Sequence, residues 1–361
     1  MQRALRTIHA WAGVVLCLVL AALGLSGSLL VLKADYLRAV VPEARIEAPL
    51  DAASLGAAID RVEMQVPAEE LGYLRFADAH LGIHTIGMES GGGAYAAADG
   101  DLVARWTGLE RFELWLFDLH HYLLLGDTGK LVAGVSGIAG TLLVLTGLYI
   151  WLPAARSFAW RAWPRSGKRR DLLSNHRDLG VLFAAPLLVI VVTGVGMIWS
   201  AEARAVLNFV AGSRSIAQPA APRAGEGEVD WAKAMAGAEA AFPGAEPRIL
   251  SWPDRPGDPA SLRMRQPGEW HPNGRTVVYI DPATSEVLET RDAHALSRGD
   301  RMGNAIYPLH AAFVGGRIYD AVTFLTGIAL TWLGLLGAWT FLTKKARDQR
   351  RTRARAVAGA R

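Results

Sequence analysis

Four stretches of this chain contain no charged side chain: Ala10–Leu32, Leu131–Leu152, Leu179–Trp199 and Ala321–Leu342. Each is 21 to 23 residues long, and a helix needs about 20 apolar residues to cross the hydrocarbon core of a bilayer. A large soluble protein can bury one such helix, but four together predict four transmembrane helices. The first run exceeds the apolar core of a signal peptide, about 7–15 residues, and no clear A-x-A cleavage site follows, so it reads as a retained helix. With 51% hydrophobic and 20% charged residues, a disordered chain is excluded. The single cysteine, Cys17, excludes an internal disulfide framework and a CxxC-type zinc site.

The charges set an orientation. Seventeen of the 38 Lys and Arg, but only three of the 34 Asp and Glu, lie in three places: before the first run, in the 153–178 loop and after residue 342. The remaining segments hold 21 basic residues against 31 acidic ones. The positive-inside rule then predicts cytoplasmic termini, a cytoplasmic 153–178 loop, and external segments at 33–130 and 200–320. The basic tail is a topology signal, not a nucleic-acid arm. The expected layout is a terminus and first helix (1–33), an external domain (34–115), and a His-bearing approach with a second helix (116–152). A cytoplasmic loop (153–176), a third helix (177–200) and a second external domain (201–305) follow. A second His-bearing approach with the fourth helix (306–342) and a cytoplasmic tail (343–361) complete it.

The chain resembles itself. With residue 119 placed over 309, Leu119-His120 falls on Leu309-His310, Gly126 on Gly316, Gly137-Ile138-Ala139 on Gly327-Ile328-Ala329, and Gly147 on Gly337. With residue 9 placed over 176, His9 falls on His176, Gly13-Val14 on Gly180-Val181, and Ser26-Gly27 on Thr193-Gly194. Both halves start on the same side, so the expected repeat is parallel, about an axis along the membrane normal. The predicted fold class is a mainly α membrane protein with four helices in a two-fold repeat and two small α+β external domains.

Those external segments carry short helix and strand signals. A helix is expected near Leu50–Met64, with weaker strands up to Trp106. In the second segment a helix at Trp231–Phe242 precedes strands at Arg248–Trp252, Ser261–Arg265 and Thr276–Ile280 and a hairpin through Asp281-Pro282, all separated by Pro/Gly turns. Ala217–Gly227 reads as a flexible linker.

Four histidines sit at the edges of the apolar runs: His9 and His176 inside, His120 and His310 outside. A pseudo-two-fold axis lets His9 face His176 and His120 face His310. Two imidazoles on opposed helices are what a bis-histidine b-type haem needs, so the expectation is two haem b groups held by these four residues. His120 and His310 lie eleven residues before their apolar cores and need a bend, which Gly126–Gly129 and Gly315-Gly316 offer. His121 has Ala311 as its counterpart and ranks behind His120. Gly24, Gly27, Gly137, Gly147, Gly194, Gly196, Gly327, Gly334 and Gly337 suit either a flat ring or close helix packing. His80, His84, His271 and His294 are expected to be solvated. Arg6, Arg177 and Arg317 are candidates to pair with haem propionates.

Thr7-Ile-His9-Ala-Trp-Ala-Gly13, Asp118-Leu-His120, Asn175-His176-Arg-Asp-Leu-Gly180, Tyr279-Ile-Asp281-Pro282 and Pro308-Leu-His310 together resemble the PepSY-associated transmembrane family over nearly the whole chain. The resemblance implies a bacterial inner-membrane protein with periplasmic PepSY-like domains, tied to iron uptake. It also implies similarity to haem-carrying oxidoreductases that reduce a ferric siderophore or other periplasmic iron complex with electrons from a separate donor. No nucleic-acid partner is expected. A non-redox PepSY protein that binds a peptide or restrains a protease is the alternative, and a transporter is disfavoured because no span contains an ionisable side chain.

Overall fold

A computed structural model describes residues 2–46 and 51–359, with side chains described up to residue 344. The chain divides into two compact units: one holds residues 1–31, 116–199 and 309–361, the other 32–115 and 200–308.

The first unit is a helix bundle. Its helices are α1 (Gln2–Val31), α5 (Gly126–Trp151), α6 (Arg169–Leu182), α7 (Ala184–Ile198) and α12 (Gly316–Gly359); α4 (Phe112–Tyr122) leads into α5, and α11 (Ile306–His310) precedes α12. Among the described residues three helical segments are long and apolar enough to cross a bilayer: Gln2–Val31, Gly126–Ser157 and Gly316–Lys344. The third expected span is broken, because α6 and α7 meet at Phe183 with a bend of 67°. Pro186 explains the break: it has no N–H to give the Leu182 carbonyl, and its ring crowds the preceding turn. If the bent pair counts as one span there are four.

Small residues bring the helices together. A Cβ on Gly24 of α1 would lie 2.6 Å from the Gly327 carbonyl of α12, so only glycine permits that approach. Ser28 and Thr331 donate to the Phe324 and Ala21 carbonyls across the same seam, at 2.7 and 3.1 Å. On the other side, Gly134 and Gly137 of α5 lie under Trp199 and Val195.

The second unit is built on one antiparallel sheet. Its first segment supplies α2 (Lys33–Val40), α3 (Ala52–Gln65), β1 (Leu71–Arg75), β2 (His84–Met88), β3 (Gly93–Ala96) and β4 (Leu102–Trp106). Its second supplies α8 (Ser200–Val210), α9 (Trp231–Ala241), β5 (Glu246–Ser251), β6 (Ala260–Arg265), β7 (Thr276–Ile280), β8 (Val287–Arg291) and α10 (Arg298–Asn304). The strand order is β4-β3-β2-β1-β5-β6-β7-β8. Each segment contributes a helix and a four-stranded meander, and β1 pairs with β5 in the middle.

The segments expected as two PepSY-like domains, 34–115 and 201–305, thus share one sheet. A four-stranded meander leaves an unpaired edge that must be covered. Here the β1 and β5 edges satisfy each other, and both meanders share one core of Leu55, Ile59, Leu74, Trp231, Leu250 and Leu262 beneath α3 and α9. Gly56 lets the two helices touch, since a Cβ there would lie 2.8 Å from the Ala232 backbone. Asp51 and Asp230 cap them by accepting from Ser54 and Lys233 N–H. Leu50, the expected start of α3, lies outside the described residues. Residues 217–227 form no helix or strand, yet they are tied down: Ala224 and Gly225 N–H donate to the Gly257 carbonyl and to Asp281.

Two of the histidines expected to be solvated are buried. His84 is enclosed in the sheet, where Nδ1 accepts from Ala77 N–H and the other ring nitrogen meets the Ala98 carbonyl. His271 is stacked on Tyr307 with ring centroids 5.1 Å apart. The i,i+4 spacing of His80 and His84 therefore has no ligand meaning: the chain turns between them, and only His80 is exposed.

Candidate functional site

The bundle brings the four edge histidines together as two pairs. His9 of α1 and His176 of α6 have ring centroids 6.5 Å apart with planes at 89°. His120 of α4 and His310 of α11 are 6.0 Å apart at 41°. A metal bonds an imidazole nitrogen at about 2.0–2.1 Å. Two rings that share one metal through one nitrogen each therefore have centroids about 6 Å apart, and both pairs have that separation.

Each ring rests against a glycine of another helix. Cβ atoms added at Gly27 and Gly194 would lie 2.8 and 2.9 Å from Cε1 of His120 and His310; at Gly147 and Gly337 they would lie 3.4 Å from Cε1 of His9 and His176. The glycines that the sequence left open thus divide by role. These four seat histidines, whereas Gly24, Gly327 and Gly334 touch helix backbone.

Beside three of the four seats stands a hydroxyl. Thr146 Oγ1 lies 3.0 Å from His9 Nδ1 and donates its own proton to the Leu142 carbonyl at 2.7 Å. Ser26 Oγ lies 3.0 Å from His120 Nδ1 and donates to Ala22 O at 2.7 Å. His310 Nδ1 lies 2.9 Å from Ile190 O and 3.2 Å from Thr193 Oγ1, which donates to Val189 O. The Ile190 carbonyl only accepts, so Nδ1 carries the proton in His310, and the hydroxyls beside His9 and His120, each able to donate to a backbone carbonyl, are placed to accept from Nδ1 in the same way. Nε2 is left with its lone pair, the state a metal ligand requires. The fourth seat has Leu336 before Gly337, so no hydroxyl stands there, and the ring of His176 is turned toward the Leu333 backbone instead.

These hydroxyls were legible only as a pattern. Ser26-Gly27, Thr146-Gly147 and Thr193-Gly194 are hydroxyl–glycine dipeptides in three different helices. The signal was present, but nothing in it said which histidine each would hold.

The chain reaches the second pair through strained turns. After His120, Leu123, Leu124 and Gly126 adopt positive φ of 48°, 59° and 58°. After His310, Ala312, Gly315 and Gly316 do the same at 59°, 72° and 60°. The bends begin three and two residues after the histidines, earlier than the glycines alone suggest. Leucine in the left-handed region costs of order 1–3 kcal/mol, which the surrounding packing must offset.

His121 does not join the pair. It is one residue on from His120 and so about 100° around α4, where its ring meets Phe117 edge-on at 4.5 Å. Arg177, one candidate partner for a propionate, is committed to Asp178 at 2.7 Å and to Ser157. Arg6 is exposed, and Arg317 lies 3.9 Å from Asp320. Among the described residues no cluster of three or more His, Cys, Asp or Glu is placed to hold a metal ion. Each pair thus offers two nitrogens, fewer than the three or four protein ligands of a zinc site.

The two pairs are well separated. His9 and Gly27, which marks the second pair, are both on α1; eighteen residues at 1.5 Å each put them about 27 Å apart along its axis. The arrangement can hold two planar groups axially, one near each end of the bundle.

The sequence pattern described as the PepSY-associated TM region matches residues 6–344. No curated protein matches the chain in sequence.

Proposed function

Because the chain belongs to the PepSY-associated transmembrane family, we propose that it is a bacterial inner-membrane oxidoreductase that carries two b-type haems and reduces a periplasmic ferric complex, a ferric siderophore, with electrons from a separate donor. The observation that carries this reading is the pair of opposed histidine couples near the two ends of α1. Each couple has the spacing of two axial ligands, and three of the four rings have Nδ1 engaged so that Nε2 is free to ligate. When bound, haem supplies reversible one-electron chemistry, tuned by its axial ligands and their hydrogen bonds.

The chain's own residues do the holding. His9 with His176, and His120 with His310, would hold the two haems through their ring nitrogens. Gly27, Gly147, Gly194 and Gly337 let the rings approach the helices. Ser26, Thr146, Thr193 and the Ile190 carbonyl fix ring orientation and tautomer. In this reading α6 and α7 form one bent span, which gives four spans in a parallel two-fold repeat with both termini in the cytoplasm. The equivalent contacts support the repeat: the Ser26-Gly27 seat of His120 and the Thr193-Gly194 seat of His310 are related by the same register shift as His9 and His176. The charge distribution supports the orientation. The sheet unit lies in the periplasm, where ferric iron is held by hard oxygen ligands and one-electron reduction loosens that hold.

The test is the visible spectrum of the purified full-length protein, with haem counted per chain. The expected result is a low-spin six-coordinate b-type spectrum, two haems per chain, and reoxidation of the reduced protein by a ferric siderophore. A chain without haem would put the non-redox peptide-binding reading ahead.

A further inference from the structure

The sheet unit contains a group of cations that lack carboxylate partners. Other arginines of this unit are paired with carboxylates: Arg61 with Asp101, Arg105 with Glu70, Arg111 with Glu113, and Arg248 with Asp78. Arg75, Arg204, Arg263 and Arg275 are half-buried and form no ion pair among the described residues. A cation withdrawn from water and left unpaired is costly, so four in one place need an explanation.

They converge because of strand register. Arg75 on β1 lies opposite Ile249, Ile249 opposite Arg263, Arg263 opposite Val277, and Val277 opposite Arg291. All five are on the face of the sheet turned away from α3 and α9, because Leu74, Leu250, Leu262 and Val278 take the core face. Strands lie about 4.8 Å apart, so successive arginines in this row are about 10 Å apart. Arg275 stands two residues before Val277 and extends the same face. Its pKa is lowered to about 10, first by burial and then by Arg263 and Arg204, so these cations feel one another.

A cavity of ≈ 330 Å³ opens at one end of the row, between the sheet and the α8–α10 pair, walled by Arg204, Arg275 and Arg291. That volume is at the small end of the range for small-molecule sites, about 300–1,000 Å³. Two aspartates also face it, against three arginines, and both are engaged by neighbours. Asp300 accepts from Asn208, Ser215 and Ile216 N–H, and Asp292 from Gln266 and His294 N–H. The arginines keep donors to spare. Arg204 holds only the Asp300 carbonyl and Asn304, Arg275 holds His271, and Arg275 Nε is buried without an acceptor. Arg291 is partly used by Glu289 and the Ala220 carbonyl. The cluster sits in segments that are otherwise acidic, which makes it a local positive focus.

We propose that Arg204, Arg275 and Arg291, which wall this cavity, with Arg263 and Arg75 adding positive charge from the same face, form a binding site for an anionic ferric chelate, one whose iron is enclosed by carboxylate or catecholate oxygens. The chain then selects negatively charged complexes over neutral or cationic ones. Planar guanidinium groups suit this ligand because they donate in pairs to adjacent oxygens. The proposal rests on the reductase reading for its ligand class, but not for the existence of the anion site.

Gallium(III) tris-catecholate, a redox-inert trianion, serves as the probe. It is titrated calorimetrically into the full-length protein in lipid nanodiscs, beside a cationic gallium trihydroxamate. The trianion is expected to bind at least about tenfold more tightly, with an affinity that falls as salt rises. Arg204→Gln and Arg275→Gln should each weaken it about tenfold, with Arg275→Lys intermediate because it keeps the charge and loses the paired donors. Equal affinity for the two chelates, or salt-independent binding by the unmodified protein, overturns the proposal without any variant. Variants that lose haem absorbance while trianion affinity is unchanged also overturn it and assign the arginines to haem propionates. A haem-free chain that still binds the trianion through these arginines keeps the site and removes the reductase reading. A haem-loaded chain that reduces ferric complexes of either charge equally does the reverse.

Discussion

His120 and His310 are held less by their own helices than by what lies against their rings. A methyl group on Gly194 would fall 2.9 Å from His310 Cε1, closer than carbon atoms pack. Gly194→Ala should displace that ring, cost about 1–3 kcal/mol as an overpacked contact, and convert one of the two haems from low-spin to high-spin. Gly13→Ala, where nothing lies within 4 Å, should leave both spectrum and thermal midpoint unchanged. In the sheet unit, His271 shows how environment sets charge at a single residue. Burial first, and then Arg275, Arg263, Arg75 and Arg204, lower its pKa to about 3. The unfolded chain takes up its proton near the ordinary value of 6.5, so the folded state binds fewer protons at every pH between. Stability from this residue is complete above pH 6.5 and is lost as pH falls toward 3. Denaturant midpoints measured from pH 7 to pH 4 should fall, and His271→Asn should flatten that slope.

At the scale of elements, the β1–β5 junction decides how many folding units the two sheet-forming segments make. Leu250 is fully buried on β5 beside Leu74 of β1, in the core that α3 and α9 share. Leu250→Ala should cost about 2–5 kcal/mol, the range for a leucine truncated in a packed core. It should also lower the melting of both segments together, because they have one core. Hydrogen exchange resolved by segment is the check. If residues 71–106 kept their protection while 246–291 lost theirs, the segments would be separate units after all. The bent α6–α7 pair makes a related point. An uninterrupted apolar run looks like one straight helix, yet one proline sets a 67° turn within it and so decides where His176 stands relative to His9.

At the scale of the whole molecule, two histidine couples about 27 Å apart along one helix should behave as separate sites. His176→Ala is expected to disturb one haem and leave the other six-coordinate, and His310→Ala to do the converse; damage to the same single haem in both variants would mean one central site. The charge asymmetry predicts that a reporter fused after residue 361 is active only in the cytoplasm. Periplasmic activity would invert the layout and place the sheet unit, with its arginine row, on the wrong side for an external iron complex.

The apolar runs, the charge asymmetry and the histidines at the run edges were all legible in the sequence, because hydropathy, charge and spacing are local properties of a chain. The register between Leu119-His120 and Leu309-His310 even indicated which rings are equivalent. Helix and strand positions in the second sheet-forming segment were readable too: the strand expected at Thr276–Ile280 is observed with the same bounds. What the sequence could not disclose are relations between residues distant along it. Nothing local marks Gly27 as the seat of His120, Thr146 as the partner of His9, or His84 and His271 as buried neutral rings. The same holds for β1 finding β5, and for Arg75, Arg263 and Arg291 falling into one row. Cross-strand register and helix contact set those neighbours, and they exist only once the backbone's hydrogen bonds and close-packed glycines have fixed which segments lie side by side.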